Sequence, residues 1–272
     1  MRLYRYKNIT ICFSIGIAFS MINIIMRWPL LKFTDNYDSE IAIIKSVLYS
    51  SCLVDQNQIV DLVLWFLPLY LLLAFFGGSM ADDMNRIGIY LFTRQKTRSR
   101  WYATQTARLA GNSLLYHIAY ILPVLVWILL SDVAVNWIDI TKTSLIFILV
   151  GILFYSVLLL ATNIVSSLLG SHVGLVCGIV LLIIFIVAST TIDTNNNLGY
   201  WLFKLNPLSN AMITWHSPMP PSNRLYNSVT QIPNYKISFS VLYFIFLLIS
   251  TSIVGWIFMR RADICINSKE DE

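Results

Sequence analysis

Apolar residues fall into six long runs, at 9–31, 59–80, 113–131, 143–169, 173–191 and 237–259, separated by polar stretches. Each run has close to the roughly 20 residues that a helix, rising 1.5 Å per residue, needs to cross about 30 Å of hydrocarbon. The pattern predicts an all-α integral membrane protein, with residues 1–272 forming a single six-span domain and no soluble domain on either side. Only Gly170, Ser171 and His172 separate the fourth and fifth runs, which predicts a tight hairpin there.

Composition excludes the alternatives. Hydrophobic residues make up 57% of the chain and charged residues 12%, about half the roughly 25% of soluble domains. The mean hydropathy is +0.69. A disordered chain needs the opposite balance. The four cysteines, Cys12, Cys52, Cys177 and Cys265, lie in different segments without a C-x-x-C pair, unlike a disulfide scaffold. The first run is too long for a cleavable signal and lacks an A-x-A-like site, so it reads as an uncleaved span.

The placement of charge carries more than its sum. Arg2, Arg5 and Lys7 precede the first span. Arg86, Arg94, Lys96, Arg98, Arg100 and Arg108 lie between the second and third, and Arg260, Arg261 and Lys269 follow the sixth. With six spans these 12 of the 19 basic residues share one side, so both termini are expected in the cytoplasm. The net charge of +5 then reflects topology, and no nucleic-acid partner is expected.

Catalytic and metal-binding signatures are missing from the sequence. It has no G-x-x-x-x-G-K-S/T, H-E-x-x-H or G-x-S-x-G, and His117, His172 and His216 are far apart and assigned to different depths. The chain is therefore expected to be no enzyme and to hold no metal or cofactor. The spans are almost free of charge. Arg27 is expected to snorkel to the headgroups from the outer end of the first span, and Asp61 lies near the outer end of the second. Neither reaches the midplane, so energy for any transport is expected to enter from outside the membrane domain.

The connection 81–112 is the most unusual stretch. Six Lys or Arg against Asp82 and Asp83 leave it at +4. Read as a helix, it sets Arg94, Arg98, Trp101, Gln105 and Arg108 on one face. Three readings compete: a solvated basic loop that fixes topology, a strip bound to anionic lipid, and a docking surface for a partner, where Arg and Trp are favoured anchors.

Six spans, cytoplasmic termini and this linker, with Tyr90-Leu91-Phe92-Thr93-Arg94-Gln95-Lys96-Thr97-Arg98-Ser99-Arg100-Trp101 and Leu205-Asn206-Pro207-Leu208, resemble the permease subunit of a type-2 ATP-binding cassette exporter of the small Gram-positive kind. The resemblance implies a multi-pass protein of the bacterial cell membrane that pairs with a second permease subunit, identical or not. It also implies a separate ATPase, carrying the ATP and Mg, that docks on Arg94, Lys96, Arg98, Arg100 and Trp101. In that family an interface helix precedes the first span; here only the short segment with Arg2, Arg5 and Lys7 is available for it. The cargo so implied is amphipathic or hydrophobic, such as a peptide, bacteriocin or antibiotic, moved by alternating access. The alternative is a non-transporting scaffold whose linker binds anionic lipid or a signalling partner.

Two further features complete the reading. Gly170, Gly174 and Gly178 recur every four residues, suited either to packing on a neighbouring span or to a subunit seam. The outer segment 192–236 is expected to hold an amphipathic or re-entrant helix near 198–215. Trp201, Asn206, Pro207 and Trp215 are its candidate gate residues, with plain interfacial anchoring as the other reading. A short helix is expected around 41–53, and Pro68 and Pro123 are expected to kink their spans.

Overall fold

The computed structural model describes residues 2–32, 43–44, 47, 59–85, 98–131, 133, 135–192, 196–216 and 234–261. The long helices are α1 (Arg2–Lys32), α2 (Ile59–Phe76), α3 (Arg98–Leu130), α4 (Trp137–Leu169) and α5 (Ser171–Thr191). Two short helices, α6 (Asn197–Leu205) and α7 (Pro207–Ala211), lead to a 3-10 turn (Ile213–Trp215), and α8 (Ile237–Arg261) is the last element. No strand occurs among the described residues. The six segments long and apolar enough to span a membrane are Asn8–Pro29, Trp65–Asn85, Arg98–Leu130, Trp137–Leu169, Ser171–Ser189 and Ile237–Arg260. All six expected spans are thus present as helices.

The segments around α2, α3 and α4 are the most enclosed, whereas α5 and α8 are the least. The exposed Ile184, Val187, Leu242 and Phe246 give those two outer helices an apolar face suited to lipid. The most extensive contact is between α1 and α3. It depends on Gly16, where an added Cβ would lie 2.6 Å from the Tyr116 carbonyl and 2.7 Å from the Ala119 Cβ. Such close backbone approach is how helices gain dispersion contact where lipid supplies no hydrophobic drive.

Three expectations change. The linker helix and the third span are one element, because α3 begins at Arg98, well before the expected start at 113. Pro68 sits inside α2, and the second span, expected as one run over 59–80, is interrupted at Gly77–Gly78. Beyond it, residues 79–85 continue as helix. Arg27 does not reach out to the headgroups: it is buried, with Nη1 donating to Asn23 Oδ1 at 2.5 Å. Asn23 in turn donates to the Phe19 carbonyl. A buried guanidinium needs local acceptors, and a polar residue one turn away supplies one.

Breaking a helix inside the membrane strands backbone groups that lipid cannot satisfy. Asn163 of α4 meets both sides of the break. Its Nδ2 donates to the Phe76 carbonyl at 2.7 Å, and its Oδ1 accepts from the Met80 N–H at 2.8 Å. Ser166 Oγ donates to the Gly77 carbonyl at 2.8 Å. Asn163 thereby caps the end of α2 and the start of 79–85 at once.

The hairpin between α4 and α5 turns at Gly170, whose φ of 97° lies in the left-handed region. Gly174 and Gly178 then face α4: a Cβ on Gly174 would collide with Ser166, and one on Gly178 would lie 2.7 Å from Thr162 Oγ1. Packing within the chain occupies these two glycines, and Gly170 serves the turn. Ile43, Ile44 and Val47 are helical and fully buried within the short helix expected around 41–53, whose remaining residues lie outside the described ones.

Asn163→Leu should leave the Phe76 carbonyl and Met80 N–H unsatisfied, at about 1–3 kcal/mol each. Thermal unfolding of the purified protein in detergent is expected to fall by about 10 °C. An unchanged midpoint would show that the break is held by something else.

Candidate functional site

Within the bundle an aromatic chamber of about 30 Å³ is lined by Trp65, Tyr116, His117, Phe147, Gly151, Phe154 and Tyr155, with Ala211 and Ile213 above. Three spans and the outer segment therefore meet at one place. The rings interlock edge to face: His117 lies 4.8 Å from Tyr155 and 5.3 Å from Phe147, and Tyr116 stacks on Tyr155 at 5.4 Å. Centroid separations of this size are the favoured ones for aromatic pairs.

His117 is 1% exposed. Its Nδ1 lies 2.7 Å from the Ser113 carbonyl, so Nδ1 carries a proton and donates there. The ring's position requires Gly151, since a Cβ on that residue would collide with Nε2. The chamber thus offers polar groups on His117, Tyr116 and Tyr155 among aromatic faces, with no formally charged side chain in its lining.

The outer segment closes the chamber through a chain of asparagines. Asn206 ends α6 and caps α7, where Pro207 takes the first position; Oδ1 accepts from the Leu208 N–H at 3.0 Å. The same side chain donates from Nδ2 to the Phe185 carbonyl of α5 at 2.8 Å. Asn210 donates to the Lys204 and Asn206 carbonyls and accepts from Ser240 Oγ of α8 at 2.7 Å. Ser240 Oγ also lies 2.6 Å from His216 Nε2.

His216 is buried with Nδ1 3.0 Å from the Met212 carbonyl, and its ring stacks on Tyr235 at 4.3 Å. Burial pushes the imidazole down to about 4, outweighing the upward pull of the Ile213 and Met212 carbonyls. The same cause raises the Tyr235 hydroxyl.

Of the expected gate residues, Asn206, Pro207 and Trp215 fasten this cap, Trp215 being buried against Phe203 at 5.2 Å. Trp201 instead points outward and is 56% exposed. The expected single helix near 198–215 is three short pieces, because Asn206 and Met212 have extended backbones. Pro218, Pro220 and Pro221 lie outside the described residues.

At the opposite end, the expected docking residues separate. Arg94 and Lys96 lie outside the described residues. Arg100 is exposed, and Arg98 Nη1 donates to the Arg260 carbonyl at 3.4 Å. Trp256 Nε1 donates to Ser99 Oγ at 2.9 Å, joining the start of α3 to the end of α8. Trp101 and Gln105 are buried at 5% and 7% exposure. Gln105 Nε2 and Arg108 Nη1 both donate to Asp83 Oδ2, at 2.8 and 3.1 Å. The face bearing Trp101 and Gln105 therefore looks into the protein, and what α3 presents outward is Arg100.

Sequence reading missed His117, Asn163 and the Asn210–Ser240–His216 chain. A polar residue alone in an apolar run was the available signal for the first two. Among the described residues no three His, Cys, Asp or Glu side chains converge.

Two outcomes test the site. Gly151→Ala should displace His117 and cost about 1–3 kcal/mol of stability, and His117→Ala in the same background should recover most of it. A cost unchanged by the second substitution would refute the contact. For His216, the folded state binds fewer protons than the unfolded chain between its depressed pKa and the ordinary 6.5. Stability is full above pH 6.5 and declines as pH falls toward 4. Hydrogen exchange in 206–216 should accelerate over that window, and His216→Gln should flatten the response.

Over residues 16–265 the chain matches the family model described as "Protein of unknown function (DUF2705)". No curated protein and no solved structure matches it. The matched stretch runs from inside α1 through α8, and the chain belongs to the DUF2705 family.

Proposed function

We propose that the chain is the membrane-spanning subunit of an ATP-driven exporter in a bacterial cell membrane, both termini in the cytoplasm, working with a second permease subunit and a separate ATPase. The observation that carries this reading is the continuity of α3. One helix runs from Arg98 and the exposed Arg100 through Tyr116 and His117 at the chamber to Leu130. A partner that pulls on its first turn acts directly on the chamber wall, without a hinge of loop between them. The cargo in this reading is amphipathic or hydrophobic and moves by alternating access along a path between two such subunits.

The docking surface in this reading is narrower than the linker sequence suggests. Arg100 is its outward contact on α3, with Arg94 and Lys96 preceding it in the chain. Trp101 anchors the helix instead of meeting the partner. The outer cap of Asn206, Pro207 and Trp215 would act as the gate, with Trp201 as an interfacial anchor.

The test is co-expression with the P-loop ATPase encoded nearest to this chain, followed by affinity recovery from detergent. Arg100→Glu is expected to lower ATPase recovery about tenfold with unchanged membrane insertion, since a reversed contact charge at an interface costs on the order of 1–2 kcal/mol. Trp101→Ala should reduce thermal stability and spare association in the protein that remains folded. If no ATPase is recovered with the native chain, and no vanadate-sensitive turnover accompanies it, the scaffold reading takes its place.

A further inference from the structure

The outer cap leaves one helix face uncovered. On α6, Leu198, Trp201, Leu202 and Leu205 recur at i, i+3, i+4 and i+7, the spacing of a single apolar stripe, and they are 48–73% exposed. The opposite face is used by the protein. Gly199 and Phe203 are buried there, and Phe203 packs on Trp215 and Tyr235.

Two hydrogen bonds fix the depth of this stripe. Asn206, directly after α6, donates to the carbonyl of Phe185, six residues before the end of α5. Tyr243, six residues into α8, donates to the Leu205 carbonyl at 2.5 Å. At 1.5 Å per residue, six residues set the last turn of α6 about 9 Å inside the ends of both spans. Amphipathic helices that lie in a membrane interface sit about 5–10 Å into the boundary between headgroups and acyl chains. The α8 helix that holds Leu205 is itself exposed at Leu242 and Phe246, so α6 adjoins a surface already suited to lipid.

The cation of α6 is arranged for the same surroundings. Lys204, its only charged residue, carries the ammonium to 4.4 Å from the Tyr200 ring and 5.2 Å from the rings of Trp201 and Phe239. Helical side chains lean toward the N-terminus, and the charge is thereby drawn back from the deep last turn, as in a snorkelling lysine. Ring faces compensate a cation where water is scarce, and the attraction grows with desolvation. A lipid leaflet supplies both halves of this pattern, acyl chains for the leucines and phosphates for the ammonium.

We propose that α6 is a lipid-docking surface, with Leu198, Trp201, Leu202 and Leu205 immersed in the leaflet at that end of the bundle and Lys204 turned to its headgroups. Because Asn206 both ends α6 and caps α7, the leaflet then holds the roof of the chamber through this helix. The proposal extends to a whole helix face the anchoring assigned to Trp201. It rests on the chain's being embedded in a membrane and holds whether or not an ATPase docks.

The experiment uses the full chain in vesicles of phosphatidylcholine and phosphatidylglycerol, with Cys12, Cys52, Cys177 and Cys265 replaced by alanine. Trp201→Cys, Leu202→Cys and Leu205→Cys are spin-labelled singly, and their collisions with oxygen and with a water-soluble nickel chelate are compared. Oxygen, which concentrates in hydrocarbon, should prevail several-fold at all three. Equal or greater access of the nickel chelate overturns the proposal in favour of a water-facing helix. Shielding from both reagents overturns it in favour of a protein cover, such as a second copy of the chain.

Two further measurements need no label. Phosphatidylcholine brominated on its acyl chains should quench a component of the native fluorescence that Trp201→Phe lacks, and an identical quenched component in both proteins overturns the immersion. Leu202→Glu sets a charge in the stripe and should speed hydrogen exchange in 206–216 about tenfold in the same vesicles. Unchanged exchange overturns the holding of the cap by the leaflet.

Discussion

The rest of the bundle depends on the two-sided capping of a broken helix by Asn163. In hydrocarbon every backbone N–H and C=O must find a protein partner, and the Gly77–Gly78 break removes the partners that a continuous helix would supply. Asn163 answers with a donor for Phe76 and an acceptor for Met80. A carboxamide presents both, on two separate atoms and without a charge. Its reach requires α2 and α4 to lie close together, which Gly77 allows, since a Cβ there would meet the Thr162 methyl; Gly174 and Gly178 bring α5 against Ser166 and Thr162 of α4. Once the break is capped, 79–85 takes a direction that brings Asp83 to Gln105 and Arg108. The burial of one face of α3 thus follows from a cap made on a different helix.

The opposite end repeats the device. The outer segment is also a broken helix, and asparagine again closes it: Asn206 caps α7 while bonding α5, and Asn210 joins α6, α7 and α8. Both discontinuities are satisfied by neutral amides rather than by ions. That choice keeps desolvation modest, since a neutral amide with its hydrogen bonds made costs far less to bury than a charge. The aromatic chamber lies between the outer cap and the α2–α4 packing. Its lining is mostly aromatic side chains, and Gly151 leaves the room that the His117 ring occupies.

Span number and span position were legible in the sequence because they rest on a local property, the length of an apolar run. The cap at Asn206-Pro207 was not read from the sequence, where 198–215 stood as one helix, although capping chemistry acts over only two or three residues. What remained hidden was partnership at a distance. Asn163 lies more than eighty residues from the groups it serves, and nothing in its own neighbourhood distinguishes it from a tolerated polar residue. Docking at Trp101 came from the family resemblance, since the periodic charges of α3 fix only which residues share a face. Whether that face meets water or protein is decided by Asp83, a residue from another helix. Arg27 was misread in the same way, by length of side chain instead of by the acceptor that Asn23 holds one turn away.

The continuity of α3 has a mechanical consequence that the separate linker of the sequence reading would not have. Gly16 presses the backbone of α1 onto Tyr116 and Ala119, so α1 and α3 cannot slide past each other without losing their closest contact. The start of α3 is tied to the end of α8 through Arg98 and Ser99. A displacement applied at Arg100 therefore moves α3 with α1 as a pair and draws on α8. The opposing wall of the chamber, Phe147, Gly151, Phe154 and Tyr155, belongs to α4, which is held to α2 by Asn163. His117 of α3 meets α4 at Gly151, where a Cβ would collide with its Nε2.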